Sequence, residues 1–331
     1  MKKWFVIALV WFMCGGAWAQ SNWPNRPVKL LVPYPAGGST DILARLLGQK
    51  LSESLGQAVV IENKGGASGG VAASYFVKSA LDDHAFMVAS LPMMSINQYL
   101  YKKMGYDPDA DLAPIGLIAQ TPNVMVVSPQ MPVNSLKDLA ARAKTLSAPL
   151  SYSSSSSGSA GHLLNELYKS NVGIELIHVP YRGNGPAMAA LLAGDVQFTT
   201  DNLPQLLPQI RAGKLKPLAV TSAKRVSGWE SIPALSEMIP QFEMVGWFTL
   251  VAPTGTPAAI VQRMHREVNT LLADAEVAHG RLRCDREAEV GEEGGGAEGG
   301  EAAAGGPGGA AAAAAEAAAG VAEVVKAFVV A

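Results

Sequence analysis

Four short segments carry the residue types from which an anion site could be built. Ala36-Gly37-Gly38-Ser39 combines two glycines, which let backbone approach a bound molecule closely, with a hydroxyl and the N–H groups of a following helix, which attract negative charge. Asp41 falls in the first turn of that helix, where it either steadies the turn through the helix dipole or accepts a donor from a ligand. Gly65-Gly66-Ala67-Ser68-Gly69-Gly70 is a second loop of the same kind. Ser151 to Ser159 supplies hydroxyls and N–H groups suited to carboxylate oxygens. Tyr181-Arg182-Gly183 supplies a guanidinium able to grip a carboxylate with two hydrogen bonds. Asp201-Asn202, at a strand end, suits an amine, a hydroxyl or an ordered water. Each segment also has a plain structural reading, as a tight turn, a flexible connection, a linker or a surface charge.

Other chemistries match less well. The glycines of 65–70 are wrongly spaced for a dinucleotide fingerprint, and the Lys-Ser/Thr of a phosphate loop is missing. Gly158-Ser159-Ala160-Gly161, with His162 beside it, misses the Gly-x-Ser-x-Gly nucleophile elbow by one position. A secreted serine hydrolase is therefore the alternative to a binding protein. The five histidines are scattered and no His-Glu-x-x-His occurs, so neither a metal nor a cofactor is expected.

The elements that must position these loops alternate between strand and helix. Val28 to Val32 is a short β-branched-rich apolar run, as in a buried parallel strand. A helix follows to about Leu55, capped by Ser39 or Thr40, with Ile42, Leu43, Leu46, Leu47 and Leu51 forming its buried face and Gly56 its stop. Strands at 58–61 and near 86–89 flank a helix over 71–80. The pattern then restarts with a strand at 123–127, a helix at 135–144, a helix near 162–171, a strand at 174–179, a helix at 186–193, and strands at 196–199 and 218–221. Two successive α/β units predict parallel-rich sheets in two lobes with a cleft between, and in open α/β sheets ligands sit beyond the carboxyl ends of strands.

Composition bounds the partners. A net charge of −2 with 16% charged residues gives no case for nucleic acid or an anionic membrane surface. Lys2 and Lys3, the apolar run Trp4 to Met13 and Ala17-Trp18-Ala19 read as a signal peptide over residues 1–19, too short an apolar run to span a bilayer. Its removal takes Cys14 with it and leaves Cys284 alone, so no internal disulfide is expected. From about Ala278 the chain turns to Gly, Ala and Glu, and Gly291 to Ala319 reads as low-complexity sequence.

Taken in order, the loops resemble the Bug-type extracytoplasmic receptors of tripartite tricarboxylate transporters. The resemblance rests on Trp23-Pro24-Asn25-Arg26-Pro27, Val32 to Gly38 with Asp41, Asn63 to Gly69, Ser157 to Leu163, Val179 to Gly183 with Pro186-Ala187, Leu218 to Thr221, and Trp247 to Pro253. It implies a periplasmic binding protein of the type II, Venus flytrap kind, with lobe one over 21–122 plus 246–277 and lobe two over 123–245. It further implies ligand contacts from Tyr34, Ala36, Gly37, Gly38, Ser39, Ala67, Ser68, Ser157, Ser159, His162 and Asp201, alongside the candidates Asp41 and Arg182. A monomer is expected, which captures a small carboxylate (a di- or tricarboxylate, an acidic amino acid or an aromatic acid) and delivers it to the transporter's membrane subunits. A receptor feeding a signalling partner fits the same residues. The resemblance stops after Asp274-Ala275-Glu276-Val277, and the expectation for 278–331 is translation from a shifted reading frame, which resequencing would test.

Overall fold

The computed structural model describes residues 23–78 and 82–273. The readings made for residues 1–19 and 278–331 lie outside them. The chain starts with β1 (Val28–Val32), α1 (Ser39–Leu55), β2 (Val59–Asn63), α2 (Gly70–Lys78) and β3 (Ala85–Ser90). After short helical turns over 92–100 and 108–111 comes β4 (Leu112–Val127), sixteen residues long. Next come α3 (Leu136–Thr145), β5 (Leu150–Ser154), α4 (Ala160–Val172), β6 (Leu176–Pro180), α5 (Asn184–Ala193), β7 (Phe198–Asn202), α6 (Leu203–Arg211) and β8 (Lys216–Val220). The described chain ends with β9 (Val245–Pro253) and α7 (Ala258–Ala273).

Strand order is β2-β1-β3-β9-β4-β7-β5-β6, with β8 also on β4. The strands of the alternating units pair in parallel, β1 with β2 and β3, and β5 with β6 and β7. β4, β8 and β9 run antiparallel to their neighbours, so the sheets are mixed rather than wholly parallel. β4 joins the two halves. Its residues 112–122 pair with β9, and from Asn123 it pairs instead with β7 and β8. The strand expected at 123–127 is thus the second half of a longer one.

Side-chain alternation along the strands explains the layers. In β1, Val28, Leu30 and Val32 face Leu47 and Leu51 of α1 and Met264 and Val268 of α7, whereas Leu31 faces Ala72 and Phe76 of α2. In β4, Met125 and Val127 join Tyr152, Tyr168 and Phe198, and Val124 and Val126 join Leu191, Leu203 and Leu207. Both faces of each sheet are covered, as continuous apolar strands require.

The buried stripe of α1 shares Leu47 and Leu51 with the expected one but is rotated away from Ile42. It runs Ala44, Leu47, Gly48, Leu51, Leu55, and Ile42 is 56% exposed. Asp41 and Thr40 are buried in place of the apolar residue, because the first turn packs its polar side against the preceding loop. The cap is also different. Gly38, in an extended conformation, holds the N-cap position and no side chain caps the turn, while Gly56 ends the helix in the left-handed region as expected. The helices α6 and α7, and β9 as a strand, were not evident from residue patterns.

Candidate functional site

A cleft lies where the two halves meet. It holds about 610 Å³ of unfilled space, part of it open to solvent. Tyr34, Gly38, Ser39, Thr40 and Ser90 line one wall. Ser155, Ser159, Gly161, Asn184, Asp201 and Asn202 line the other. Asn123, Gly246, Trp247 and Phe248, from the strands that pass between the halves, form part of the remaining lining.

The β1–α1 loop is shaped by Asp41. Its Oδ2 accepts from the Gly37 N–H (2.9 Å) and from Arg45 Nε (3.0 Å), and its Oδ1 accepts from Asn63 Nδ2 (2.9 Å). Burial pushes this carboxyl up, but the bonds from Arg45, Gly37 and Asn63 outweigh it and hold it below the usual range. Asp41 is therefore committed to the loop, and the uncapped start of α1 is left facing the cleft at Gly38, Ser39 and Thr40. Tyr34 shares a hydrogen bond with Ser90 (2.7 Å), and burial pushes its hydroxyl up to about 12, so it stays neutral.

The opposite wall is built from three helix starts. The side chain of Ser159 accepts from the His162 N–H (3.4 Å) to cap α4. A side chain at Gly161 would put its Cβ 2.2 Å from the Thr200 carbonyl, so only glycine lets α4 begin this close to β7. Gly183 and Asn202 occupy the N-cap positions of α5 and α6, both without a side-chain cap. Uncapped N–H groups and aligned peptide dipoles make such positions attractive to anions. None of the lining residues is Lys, Arg or His. The buried indole N–H of Trp247 has no hydrogen-bond partner among the described residues.

The expected residues divide into three groups. Tyr34, Gly38, Ser39, Ser159 and Asp201 line the cleft. Ser68 and Ser157 close it: Ser68 Oγ bonds to Ser156 Oγ (2.7 Å) and donates to the Ser157 carbonyl (2.9 Å), which Tyr101 also reaches (3.0 Å). Ala67 and Ser68 hold left-handed backbone at φ 48° and 50°, a conformation sustained by Asn97 Nδ2 donating to the Ser68 carbonyl (3.2 Å). Ser39 Oγ donates to Gln205 Oε1 (3.1 Å), and Pro35 packs beside Gly183, so the conformation is closed. Ala36, Gly37, Asp41, His162 and Arg182 do not line the cleft. Arg182 is exposed, and His162 Nδ1 accepts from the Gly158 N–H (3.1 Å), supporting the serine loop from behind. Ser154 Oγ lies 2.6 Å from His178 Nε2, but Ser154 is buried and neither residue lines the cleft.

Ser90, Asn123, Asn184 and Trp247 were not anticipated, whereas Asn202 was named beside Asp201. Asn184 and Asn202 do carry a readable signal, an amide at a helix start just after a strand. Ser90 and Asn123 carry none, because long-range strand order alone brings them to the cleft.

Two lobes, mixed sheets and a cleft at the strand ends define a solute-binding protein of the two-lobed periplasmic class. Residues 43–280 match the family described as TctC, tripartite tricarboxylate transporter family receptor. The chain is 34% identical over 258 residues to Protein BugT of Bordetella pertussis, covering 77% of this chain and 79% of that one. Among solved structures it is similar to R. palustris Rpa4515 with adipate, at 39% identity and TM-score 0.82, covering 92% of this chain and 97% of that one. It is also similar to MatC from Rhodopseudomonas palustris with bound malate, at 28% identity and TM-score 0.79, covering 91% and 99%. The chain belongs to the tripartite tricarboxylate transporter family of receptors, a family of solute-binding proteins.

Proposed function

We propose that this protein captures a small dicarboxylate between its lobes and delivers it to the membrane subunits of a tripartite tricarboxylate transporter. The observation that carries the reading is the cleft itself: helix starts from both walls, three of them uncapped, face a space whose polar lining is hydroxyls, amides and the single Asp201 carboxyl, without a basic side chain. Such a site satisfies carboxylate oxygens with N–H and O–H donors rather than ion pairs. That relatives hold adipate and malate supports the same ligand class.

In this reading Tyr34, Gly38, Ser39, Ser159 and Asp201 contact the ligand, with Ala36, Gly37 and Asp41 shaping one loop and His162 backing another. Ala67, Ser68 and Ser157 form the latch. The lobes are residues 21–122 plus 246–277 and residues 123–245, which hinge where β4 changes partners. Ligand touching both walls shifts the population toward the closed form, which the membrane subunits read. The protein works as a periplasmic monomer once its leader is removed. Among the described residues no helix is long and apolar enough to cross a membrane.

A thermal-shift screen against mono-, di- and tricarboxylates, amino acids and aromatic acids tests the reading. A captured acid present at 100 times its Kd adds about 2.7 kcal/mol, which raises the midpoint by roughly 5–10 °C. A cooperative transition that no carboxylate moves would count against it.

A further inference from the structure

Donors are placed unevenly around Asp201. Its Oδ1 accepts two hydrogen bonds, from the Asn202 N–H (2.7 Å) and from Asn184 Nδ2 (2.7 Å). Its Oδ2 receives none among the described residues. An ionised carboxylate draws donors to both oxygens, whereas a carboxylic acid presents one oxygen as acceptor and keeps the other as an O–H donor. Asp201 is half-buried where it lines the cleft, and its protein partners follow the second pattern, with Oδ2 left for a bound molecule. Its surroundings point the same way, since Asp201 lines a cleft whose walls contribute no cation to offset a carboxylate charge. An ionised Asp201 would repel an incoming dicarboxylate, and a protonated one would donate to it.

We infer that Asp201 is protonated in the liganded state and donates from Oδ2 to a ligand carboxylate oxygen, so that capture takes up one proton. The inference rests on the carboxylate reading above. Burial supports it by pushing the Asp201 carboxyl up to about 7, against the lowering influence of Asn202 and Asn184. A bound anion would raise it further. Free Asp201 is then largely ionised above pH 7, and binding must restore its proton.

The titratable groups on surrounding elements are few. Tyr34 lies across the cleft. Tyr152 is on β5, His178 on β6, His162, Glu166, Tyr168 and Lys169 on α4, Arg182 ahead of α5, and Arg211 at the end of α6. None forms a hydrogen bond or ion pair with Asp201. Burial pushes both His162 and His178 down, His178 to about 4, so neither histidine charges between pH 7 and 9.

Titration calorimetry of the wild-type protein with adipate, and with malate, tests the proposal. Measured at pH 8 in two buffers of different ionisation enthalpy, the heats should report uptake approaching one proton per ligand. Kd should weaken as pH rises from 7 to 9, by up to tenfold per unit. Asp201→Asn keeps a donor where the O–H stood and should bind with a Kd flat over that range, and Asp201→Ala should bind at least tenfold more weakly than the wild type at pH 7. Melting curves confirm that both variants are folded. Wild-type binding that is flat in pH, with heats independent of buffer, overturns the proton role and leaves the carboxylate reading standing. The proton role falls equally if malate alone binds and Asp201→Asn weakens it without any proton uptake, because Asp201 would then be an ionised acceptor for the hydroxyl. No heat from either acid at any pH removes the support for both.

Discussion

Ser68 is a single residue on which two walls depend. It occupies left-handed backbone, is buried, and commits its hydroxyl entirely to the opposite wall, at Ser156 and Ser157. A neutral hydrogen bond is worth about 0.5–1.5 kcal/mol net. Ser68→Ala should therefore weaken dicarboxylate binding about threefold to tenfold, chiefly through faster dissociation, as stopped-flow release would show. Unchanged release would mean that the latch does not hold the closed form. The residues named from sequence fared according to where their partners lie. Gly38 and Ser39 could be placed because a helix start announces itself within a few positions. Asp41 read equally well as a ligand contact, and only Arg45, Asn63 and the Gly37 N–H, the second of them twenty-two residues away, show where its oxygens go. Arg182 read equally well as a carboxylate grip and as a surface charge, and the loop turns it outward to solvent.

At the scale of the element, the β1–α1 loop is a unit braced by one carboxylate. The Asp41 carboxyl is held below its ordinary value in the folded state, so its contribution to stability is present above the unfolded value of about 3.9 and is lost as pH falls through the lower folded value. Asp41→Ala should cost about 1–3 kcal/mol at pH 7, because it removes the buried acceptor of three hydrogen bonds, one of them from a charged donor, and the deficit relative to wild type should shrink in strong acid. Urea melts at pH 7 and pH 3 check both parts. A deficit of equal size at the two pH values would mean that the brace is steric rather than ionic. Elements with strong local signals were legible: Val28–Val32 by its apolar run, α1 by its glycine stop, α3 by the serine that caps it. The apolar face of α1 was misjudged by a turn, since its spacing cannot reveal that the buried side begins with Asp41 and Thr40. β9 and α7 sit far along the chain from the strands and helix they pack on, and nothing nearby in sequence points to them.

The whole molecule carries almost no net charge, and in the proposed reading its cleft recruits anions with dipoles rather than basic side chains. Helix-terminus fields act over short distances and do not steer ligands from bulk solvent. Association with adipate should accordingly change no more than about twofold between 10 and 300 mM salt, where a cation-steered site would slow far more. Stopped-flow fluorescence from the cleft's own Trp247 offers the readout. A steep salt dependence would imply a basic surface near the entrance that governs encounter.

Strand order also sets a schedule. β9 occupies the slot between β3 and β4, yet it is made after every strand of the other sheet. A chain emerging from the ribosome can finish the sheet of β4, β5, β6, β7 and β8 while the first sheet still waits for the strand that joins β3 to β4. The earliest-made half of the protein is thus the last to be completed. A chain stopped at Met244 should show slow amide exchange in β5 and β7 and fast exchange in β3, and equal protection in both would mean that the first sheet closes without its missing strand.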